Sequence, residues 1–474
     1  MVPLLLEVFM KLSDALHLPL DCGGKGRCGK CKVYVSGELS PLTQAELSLL
    51  TQEEINAGCR LACQAEVEGE YVVHNSHKDD DMVVQTGFGT DPINTALTSS
   101  VQPETCDHIG VAVDIGTTTL AAYWYDLATG QLLDQRSAAN PQRVFGADVI
   151  SRIERAMNGD LIQLSSVLRR GLLALLPEKW DRLVLTGNTT MLYTLCGHDP
   201  EPLSHAPFIA DHTYGYEKDG VILPPCFSAY VGADLSTAAL AAALWKDGHL
   251  AVDKPTLLLD AGTNGEILLA ANGHLYGCAT ACGPAFEGSQ ISCGLPSVPG
   301  AICHVAPDFS VETIGDRPPK GYCGSGILDI TAALLDCEML DETGFLDEWP
   351  EEAAALPELT QKDIREIQLA KSAIAAGCDA LMHAAGVTEL DTIYLAGGFG
   401  SQLNVESARR IGLIPPARQI VAIGNGAGHG AALLLLNPSL LEDLLSMKAN
   451  FELVELANDS YFSEAFMRHM YFPE

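Results

Sequence analysis

The sequence predicts an α/β protein of several domains, and three observations lead to that prediction. The chain has 474 residues, more than a single hydrophobic core usually serves. From Ile109 onward, buried-strand patterns such as "VAVDIG" and "TLLLDAG" alternate with helical stretches, as they do in α/β domains. A cysteine-rich segment and then a polar stretch precede this part. We therefore expect a small domain over residues 1–75, a linker over 76–107, and two α/β lobes over 108–252 and 253–474.

Composition and charge exclude several classes of protein. Hydrophobic residues make up 47% of the chain and charged residues 19%, which is typical of globular proteins. The formal charge of −33 opposes binding to nucleic acid or to an anionic membrane, because like charges repel. The start "MVPLLLEVFM" lacks the basic region of a signal peptide, and no stretch approaches the about 20 apolar residues of a membrane helix. We expect a cytoplasmic protein without nucleic-acid or membrane partners, whose cysteines are buried or bind metal.

The segment "CGGKGRCGKC", residues 22–31, places three cysteines and four glycines in ten positions. Three interpretations compete: a zinc site in which its last two cysteines join Cys59 and Cys63, a redox-active dithiol, or a [2Fe–2S] cluster. A dithiol leaves the first cysteine and the glycines unexplained, and a zinc knuckle needs only one tight turn. Glycines allow turns with positive φ that bring backbone N–H groups close to cluster sulfurs, which favours the cluster.

The fourth cluster ligand is predicted from a resemblance. "RLACQAEVEG", residues 60–69, resembles the last ligand motif of plant-type [2Fe–2S] ferredoxins, with the cysteine at the start of a strand, and this implies a small β-grasp domain. The implied ligands are Cys22, Cys28, Cys31 and Cys63. Cys59 stays open as the alternative fourth ligand, or is a small buried hydrophobic residue. Ferredoxins open with a β-hairpin, but "LLLEVFMKLSDALHL", residues 4–18, predicts a helix, so we expect a missing hairpin or an upstream start, and an open sheet edge.

Two related turns predict a phosphate site. "VAVDIGTTTLAAY" and "LLLDAGTNGEILL" lie 146 positions apart and share an apolar strand, an aspartate, a glycine and a threonine. Such turns offer amides and hydroxyls to phosphate oxygens, and the aspartate suits a hydrated Mg²⁺. Either turn alone could be an ordinary hairpin turn, whereas two copies facing one cleft would clamp a polyphosphate. The candidate residues are Asp114, Gly116, Thr117, Thr118 and Thr119 in the first copy, and Asp260, Gly262, Thr263, Asn264 and Gly265 in the second.

A third motif completes this set. "TIYLAGGFGS" predicts a strand that runs into Gly397, Gly398 and Gly400, where a flat base could lie against the backbone; close helix–strand packing is the alternative. Together the motifs resemble the phosphate and adenosine motifs of the actin, Hsp70 and sugar-kinase superfamily, which implies two actin-like lobes that bind ATP with Mg²⁺. The chain has no Walker A sequence and no G-x-G-x-x-G between a strand and a helix, so P-loop and Rossmann folds are excluded.

The order of all the motifs, including "LTGNTTM", "GPAFEG" and "GYCGSGILD", resembles the ATP-dependent reductive activators of corrinoid proteins. The resemblance implies one-electron transfer from the cluster to Co(II), giving Co(I) for methyltransferases. Plant-type clusters have reduction potentials near about −400 mV. The Co(II)/Co(I) couple is expected to lie lower, and a gap of roughly 100 to 200 mV between the two corresponds to about 2 to 5 kcal/mol for one electron. This cost explains why ATP would take part. Asp114 and Asp260 are then predicted ligands of magnesium-bound water, and Glu287 in "GPAFEG" orients water or is a helix-start carboxylate.

The partners that this resemblance implies are a corrinoid protein of a methyltransferase system and an electron donor. The sequence leaves open whether the chain forms a homodimer. Two other functions also stay open: an ATP-dependent electron donor to another low-potential enzyme, as in the dehydratase activators, and a redox-sensing ATP-binding regulator that uses the cluster as a switch.

Overall fold

The computed structural model describes residues 10–16, 18, 20, 23–75, 108–262, 264–397 and 403–474, so the predicted linker over 76–107 lies outside the described residues. The N-terminal domain contains strands β1 (Met10–Lys11), β2 (Lys32–Leu39), β3 (Cys59–Leu61) and β4 (Glu66–Asn75), and helices α1 (Leu12–Leu16), α2 (Gln44–Leu49) and α3 (Gln52–Asn56). The four strands form one sheet in the order β1-β4-β2-β3.

The helix predicted over residues 4–18 is wrong at Met10–Lys11, which form strand β1. This strand pairs antiparallel with β4, and only Leu12–Leu16 is helical; residues 1–9 lie outside the described residues. The apolar spacing misled the prediction because Leu12 is buried against the sheet whether or not the preceding residues are helical. The sheet edge that we expected to be open therefore carries a strand.

The first predicted lobe is built on one large sheet. Its strands are β5 (Ile109–Ile115), β6 (Thr119–Asp126), β7 (Leu132–Ala139), β8 (Arg182–Gly187), β9 (Tyr216–Lys218) and β10 (Val221–Leu223), in the order β7-β6-β5-β8-β10-β9. Its helices are α4 (Val149–Arg155), α5 (Leu161–Leu175), α6 (Thr189–Cys196) and α7 (Ala233–Ala241). A short ribbon of β11 (Trp245–Lys246) and β12 (His249–Leu250) follows.

The second predicted lobe has a sheet of the same size. Its strands are β13 (Thr256–Ala261), β14 (Gly265–Ala271), β15 (His274–Thr280), β19 (Leu390–Ala396), β20 (Ala417–Gly424) and β21 (Phe451–Leu453), in the order β20-β19-β13-β14-β15-β21. A smaller sheet contains β16 (Ala301–Val305), β17 (Val311–Thr313) and β18 (Gly321–Tyr322). The helices are α8 (Gly324–Asp336), α9 (Gln361–Ala385), α10 (Val405–Arg410), α11 (Gly426–Leu436), α12 (Leu440–Ala449) and α13 (Ser460–His469). None of the helices described here has the length and apolar character needed to cross a lipid bilayer.

The two large sheets share one plan. In each, the strand that ends at a predicted phosphate turn, β5 or β13, pairs antiparallel with the next strand and parallel with a later one, β8 or β19. The connecting turns, residues 116–118 and 262–264, have the same length. The repeat in the sequence is therefore a repeated strand–turn–strand unit, and the predicted pair of related α/β lobes is confirmed.

Helices α7 and α11 lie between the two sheets and join the lobes. Both helices belong to one apolar cluster with strands of each lobe. They approach most closely at Gly430, where a Cβ atom would lie 1.8 Å from the carbonyl oxygen of Thr237. Arg182 of β8 also donates to the carbonyl oxygen of Leu435 in α11 at 2.9 Å. The lobes thus share a core beneath the cleft that separates their turns.

Candidate cluster and nucleotide site

One cleft of about 1320 Å³ collects most of the residues predicted for the nucleotide site. The predicted residues that line it are Asp114, Gly116, Thr117, Thr118, Thr119, Asp260, Gly262, Asn264, Glu287 and Gly397. Gly265 lies behind the second turn, where a Cβ atom would be 2.5 Å from Thr280 Oγ1. Thr263, Gly398 and Gly400 lie outside the described residues. The two turns therefore share a single cleft.

Three side chains hold the turn of the first lobe. Asn140 Nδ2 donates to the carbonyl oxygen of Gly116 at 2.8 Å, and the Arg152 guanidinium donates to that of Thr117 at 2.6 Å. Asn188 Nδ2 donates to Thr117 Oγ1 at 3.0 Å. Arg152 is fully buried, and this burial lowers its pKa to about 9, with the charge of a neighbouring arginine adding to the effect. The backbone of this turn is therefore fixed by contacts within the protein itself.

Four carboxyl groups from both lobes line the floor of the cleft: Asp114, Asp234, Asp260 and Glu266. Burial raises the pKa of Asp114 to about 7, although a hydrogen bond from an asparagine opposes the shift. Burial and the nearby charge of Glu287 raise the pKa of Asp260 to about 6. Burial also raises the pKa of Asp234 and of Glu266, which share a hydrogen bond across the lobes. Such crowded, buried carboxylates favour a bound cation, and their oxygens are the ligands that Mg²⁺ prefers.

Two polar contacts cross between the lobes at the turns. Asn425, which caps the N-terminus of α11, donates through Nδ2 to Asp114 Oδ2 at 2.9 Å. Thr118 Oγ1 donates to Glu287 Oε2 at 3.4 Å, and a Cβ atom on Gly262 would lie 3.6 Å from Glu287 Oε1. The Glu287 carboxylate therefore contacts the first turn and lies beside the second.

Gly397 has a structural role that the sequence did not indicate. It follows β19 with a φ of +81°, and a Cβ atom there would lie 2.4 Å from Asp260 Oδ1. A side chain at this position would displace the carboxylate. The glycine thus makes room for Asp260, whatever its contact with a nucleotide base.

Sequence reasoning missed several residues of the cleft. Glu266 and Asn188 lay inside quoted motifs, and an asparagine just before a helix, as at Asn188 and Asn425, is a recognisable N-cap signal. Asp234 lies in the first turn of α7, where acidic residues are common without any ligand. Arg152 gave no signal, because an arginine on a short helix normally faces solvent.

The segment "CGGKGRCGKC", called the cysteine loop from here on, is described from residue 23 to residue 31 and has the backbone that the cluster interpretation requires. Its four glycines all adopt positive φ, at +60° for Gly23, +76° for Gly24, +63° for Gly26 and +68° for Gly29. Side chains rarely adopt this conformation, so the tight loop depends on glycine. Cys28 and Cys31 are half-buried and line the cleft, whereas Cys22 lies outside the described residues.

Cys63 lies beside this loop, in the turn between β3 and β4 and not at the start of a strand as predicted. Gln64 Nε2 donates to the carbonyl oxygen of Gly24 at 2.9 Å and to Cys63 Sγ at 3.4 Å. Cys59 is fully buried in an apolar cluster with Leu61, and burial followed by the charge of a nearby glutamate raises its pKa. This placement fits Cys63 as the thiolate ligand better than Cys59.

In the described part of the chain, no three histidine, cysteine, aspartate or glutamate side chains are arranged to hold one metal ion. The zinc alternative would use Cys28, Cys31, Cys59 and Cys63, all of which lie among the described residues. A [2Fe–2S] cluster needs only two thiolates at each iron. The described cysteines and the glycine loop fit that cluster.

Three family models match the chain in order. They are a 2Fe-2S iron–sulfur cluster binding domain over residues 4–68, the RACo middle region over 109–247, and the C-terminal domain of RACo, the ASKHA domain, over 254–474. A corrinoid activation enzyme of Eubacterium limosum, RamQ, is 30% identical, and the alignment covers 97% of this chain and 95% of that protein. The chain belongs to the family of corrinoid activation enzymes.

Two further comparisons place this chain among its relatives. A [Co(II) methylated amine-specific corrinoid protein] reductase of Methanosarcina barkeri is 29% identical over 48% of this chain and 46% of its own length. Among solved structures, a reductive activator for corrinoid, iron-sulfur protein has the same fold, with a TM-score of 0.68 at 24% identity over 98% of this chain and 96% of that one. The predicted family, the iron–sulfur domain and the actin-like lobes are thereby confirmed.

Proposed function

We propose that this chain reduces Co(II) to Co(I) in a corrinoid protein, one electron at a time, in a cycle driven by ATP. The observation that supports this most is the meeting of the cysteine loop and the paired phosphate turns at one cleft, in a member of the corrinoid activation family. The bound cluster supplies the one-electron carrier. Each electron that reaches cobalt is replaced by an external low-potential donor, so the electron count balances.

Cys28, Cys31 and Cys63 would hold the cluster, with Cys22 as the remaining ligand. Replacement of Cys63 and Cys59 by alanine provides a matched pair, because both thiols are buried and only four residues apart. We expect Cys63→Ala to lose the electron paramagnetic resonance signal of the dithionite-reduced protein, and Cys59→Ala to keep it. The opposite result would make Cys59 the ligand, and retention of zinc in place of iron would reject the cluster.

The two turns would hold the phosphates of ATP, and Asp114 and Asp260 would hold Mg²⁺ through its bound waters. Preorganised amides and hydroxyls stabilise transferring phosphoryl groups largely by position and charge. Glu287 accepts from Thr118 of the first turn and lies beside Gly262 of the second, and we propose that it orients the attacking water. No covalent phosphoenzyme is needed for this role.

The direct test is anaerobic. Dithionite-reduced holoenzyme is mixed with Mg-ATP and a Co(II) corrinoid protein of a methyltransferase system, and Co(I) absorbance is followed; reactions with ADP and without nucleotide serve as controls. We expect Co(I) only with ATP, and faster ATP hydrolysis when the corrinoid protein is present. Absence of Co(I) with several classes of corrinoid protein would overturn the proposal. If the rate of ATP hydrolysis did not change when the corrinoid protein was added, the alternative function as a redox-sensing ATP-binding regulator would be favoured.

A further inference from the structure

The cysteine loop is docked on the nucleotide cleft and contacts both lobes. Lys30 Nζ donates to the carbonyl oxygen of Gly288 in the second lobe at 2.7 Å. Lys25 Nζ lies 3.0 Å from Glu154 Oε2 on α4 in the first lobe. The Lys25 pair is about half exposed on both sides, and solvent screens such pairs. The Lys30 contact is partly buried, so it is the stronger link between the domains.

Lys30 connects two functional regions over a short path. In the chain it immediately precedes the predicted ligand Cys31. Its acceptor, Gly288, immediately follows Glu287, whose carboxylate accepts from Thr118 of the first turn and lies beside Gly262 of the second. The lysine therefore connects the region of the predicted cluster ligands to the turn that carries Glu287.

The backbone of the turn that contains Glu287 and Gly288 is tightly packed and has little room to change its conformation. Gly288 has a φ of +75°, and a Cβ atom there would lie only 2.1 Å from the carbonyl oxygen of Leu295. The Gly288 N–H also donates to the carbonyl oxygen of Ala285 at 3.0 Å. A shift of Glu287 is therefore expected to move the Gly288 carbonyl group with it.

We propose that Lys30 is a positioning residue that couples nucleotide binding to the environment of the cluster. A magnesium polyphosphate between the two turns competes with Glu287 for Thr118 and for the space beside Gly262. The resulting shift of the Glu287–Gly288 turn reaches the loop next to Cys31 through the Lys30 hydrogen bond. The inference rests on the proposed function, because it needs both a cluster and a nucleotide in the same molecule.

The test uses the holoenzyme and the visible circular dichroism of its cluster, recorded with and without a non-hydrolysable Mg-ATP analogue. We expect the analogue to change the spectrum of the wild type and to leave that of Lys30→Met unchanged. Lys30→Arg, which keeps a charged donor, should restore part of the change. Lys11→Gln is the matched control, since Lys11 is a lysine of the same domain that pairs with Glu66 and does not line the cleft; it should respond like the wild type.

Iron content and analogue binding are measured on every variant. If the wild type binds no cluster or no analogue, the proposed function fails. If it binds both but its spectrum does not respond, or if Lys30→Met responds fully, only the coupling is overturned. If Lys30→Met loses its cluster, Glu287→Gln provides the second test, because Glu287 is not in the cysteine loop. The change that the analogue causes in the spectrum of Glu287→Gln should be smaller than in the wild type. A full response in this variant would reject the route through the Glu287–Gly288 turn.

Discussion

The two predicted phosphate turns, residues 116–118 and 262–264, have related sequences and equal lengths, but the described contacts that support them differ. The first turn, residues 116–118, accepts hydrogen bonds from Asn140, Arg152 and Asn188. Among the described residues of the second turn, Gly262 N donates to the Asn264 carbonyl oxygen at 3.1 Å, and the Cys282 thiol donates to that of Gly262 at 3.5 Å. Among the described contacts, the first turn is thus the more firmly braced, and we expect rearrangement on ligand binding mainly at the second turn.

The difference arises from elements that the strand–turn–strand repeat does not contain. The residues that brace the first turn come from the end of β7, from α4 and from the N-cap of α6. Among the described residues of the second lobe, the side chains beside this turn include the Glu287 carboxylate and the Cys282 thiol, and a thiol is a weak donor to a carbonyl group. The repeat therefore supplies the shape of both turns, whereas the surrounding elements decide their rigidity.

The largest expected effect on ATP hydrolysis comes from replacing the aspartate that precedes each turn, Asp114 or Asp260. Asp114→Asn and Asp260→Asn should each lower the rate of ATP hydrolysis by about 100-fold or more, because each removes a carboxylate that we propose holds Mg²⁺ through its bound waters. Asp253→Asn is the control, since Asp253 is exposed and does not line the cleft. A steady-state assay that showed near-normal hydrolysis in either cleft variant would exclude that aspartate from the magnesium site.

Bracing of the first turn is tested most strongly at Arg152. Arg152→Met leaves the buried carbonyl group of Gly146 and the partly buried one of Thr117 without this donor, so we expect a loss of about 2 to 4 kcal/mol in the free energy of unfolding. Arg155→Met is a matched control on the same helix, where a half-exposed arginine pairs with Asp160 and should matter by less than about 1 kcal/mol. Urea unfolding measures both. Equal losses in the two variants would mean that Arg152 does not anchor the turn.

The sequence predicted the parts of the site that depend on local pattern. The strand–aspartate–glycine turns and the glycine-rich cysteine loop each have a signature within ten residues, and the structure places both at one cleft. Arg152 and Asp234 could not be found in this way, because their roles depend on which helix packs beside which turn. The contact of Lys30 with Gly288 joins residues 258 positions apart, so only the tertiary fold reveals it.

At the start of the chain, by contrast, a local sequence pattern predicted the wrong secondary structure. The apolar spacing of residues 4–18 fits a helix, yet Met10–Lys11 add a strand to the sheet. A two-residue strand is too short to produce an alternating pattern, so periodicity favoured the helix. Backbone pairing with β4 decided the structure at those two residues.

Replacement of Asn188 tests whether this side chain supports the first turn in addition to capping a helix. Asn188→Ala removes the N-cap of α6 and the donor to Thr117 Oγ1, so we expect a loss of about 1 kcal/mol in stability together with weaker ATP binding. Asn404→Ala removes the N-cap of α10 and is the control, because Asn404 does not line the cleft. It should cost a similar amount of stability without changing ATP affinity, as measured by calorimetric titration. Weakened ATP binding in both variants would attribute the effect to general loosening of the fold.

The smallest effect is expected at the second turn. Burial raises the pKa of Cys282 to about 12, with the charge of Glu287 adding to the shift, so its thiol stays protonated and donates weakly to Gly262. Cys282→Ala should therefore lower the free energy of unfolding by about 1 kcal/mol or less and leave ATP affinity nearly unchanged. Urea unfolding and calorimetric titration provide the two readouts. A loss as large as that of Arg152→Met would show that the second turn is braced as firmly as the first, and the proposed division into a fixed and a movable turn would then be wrong.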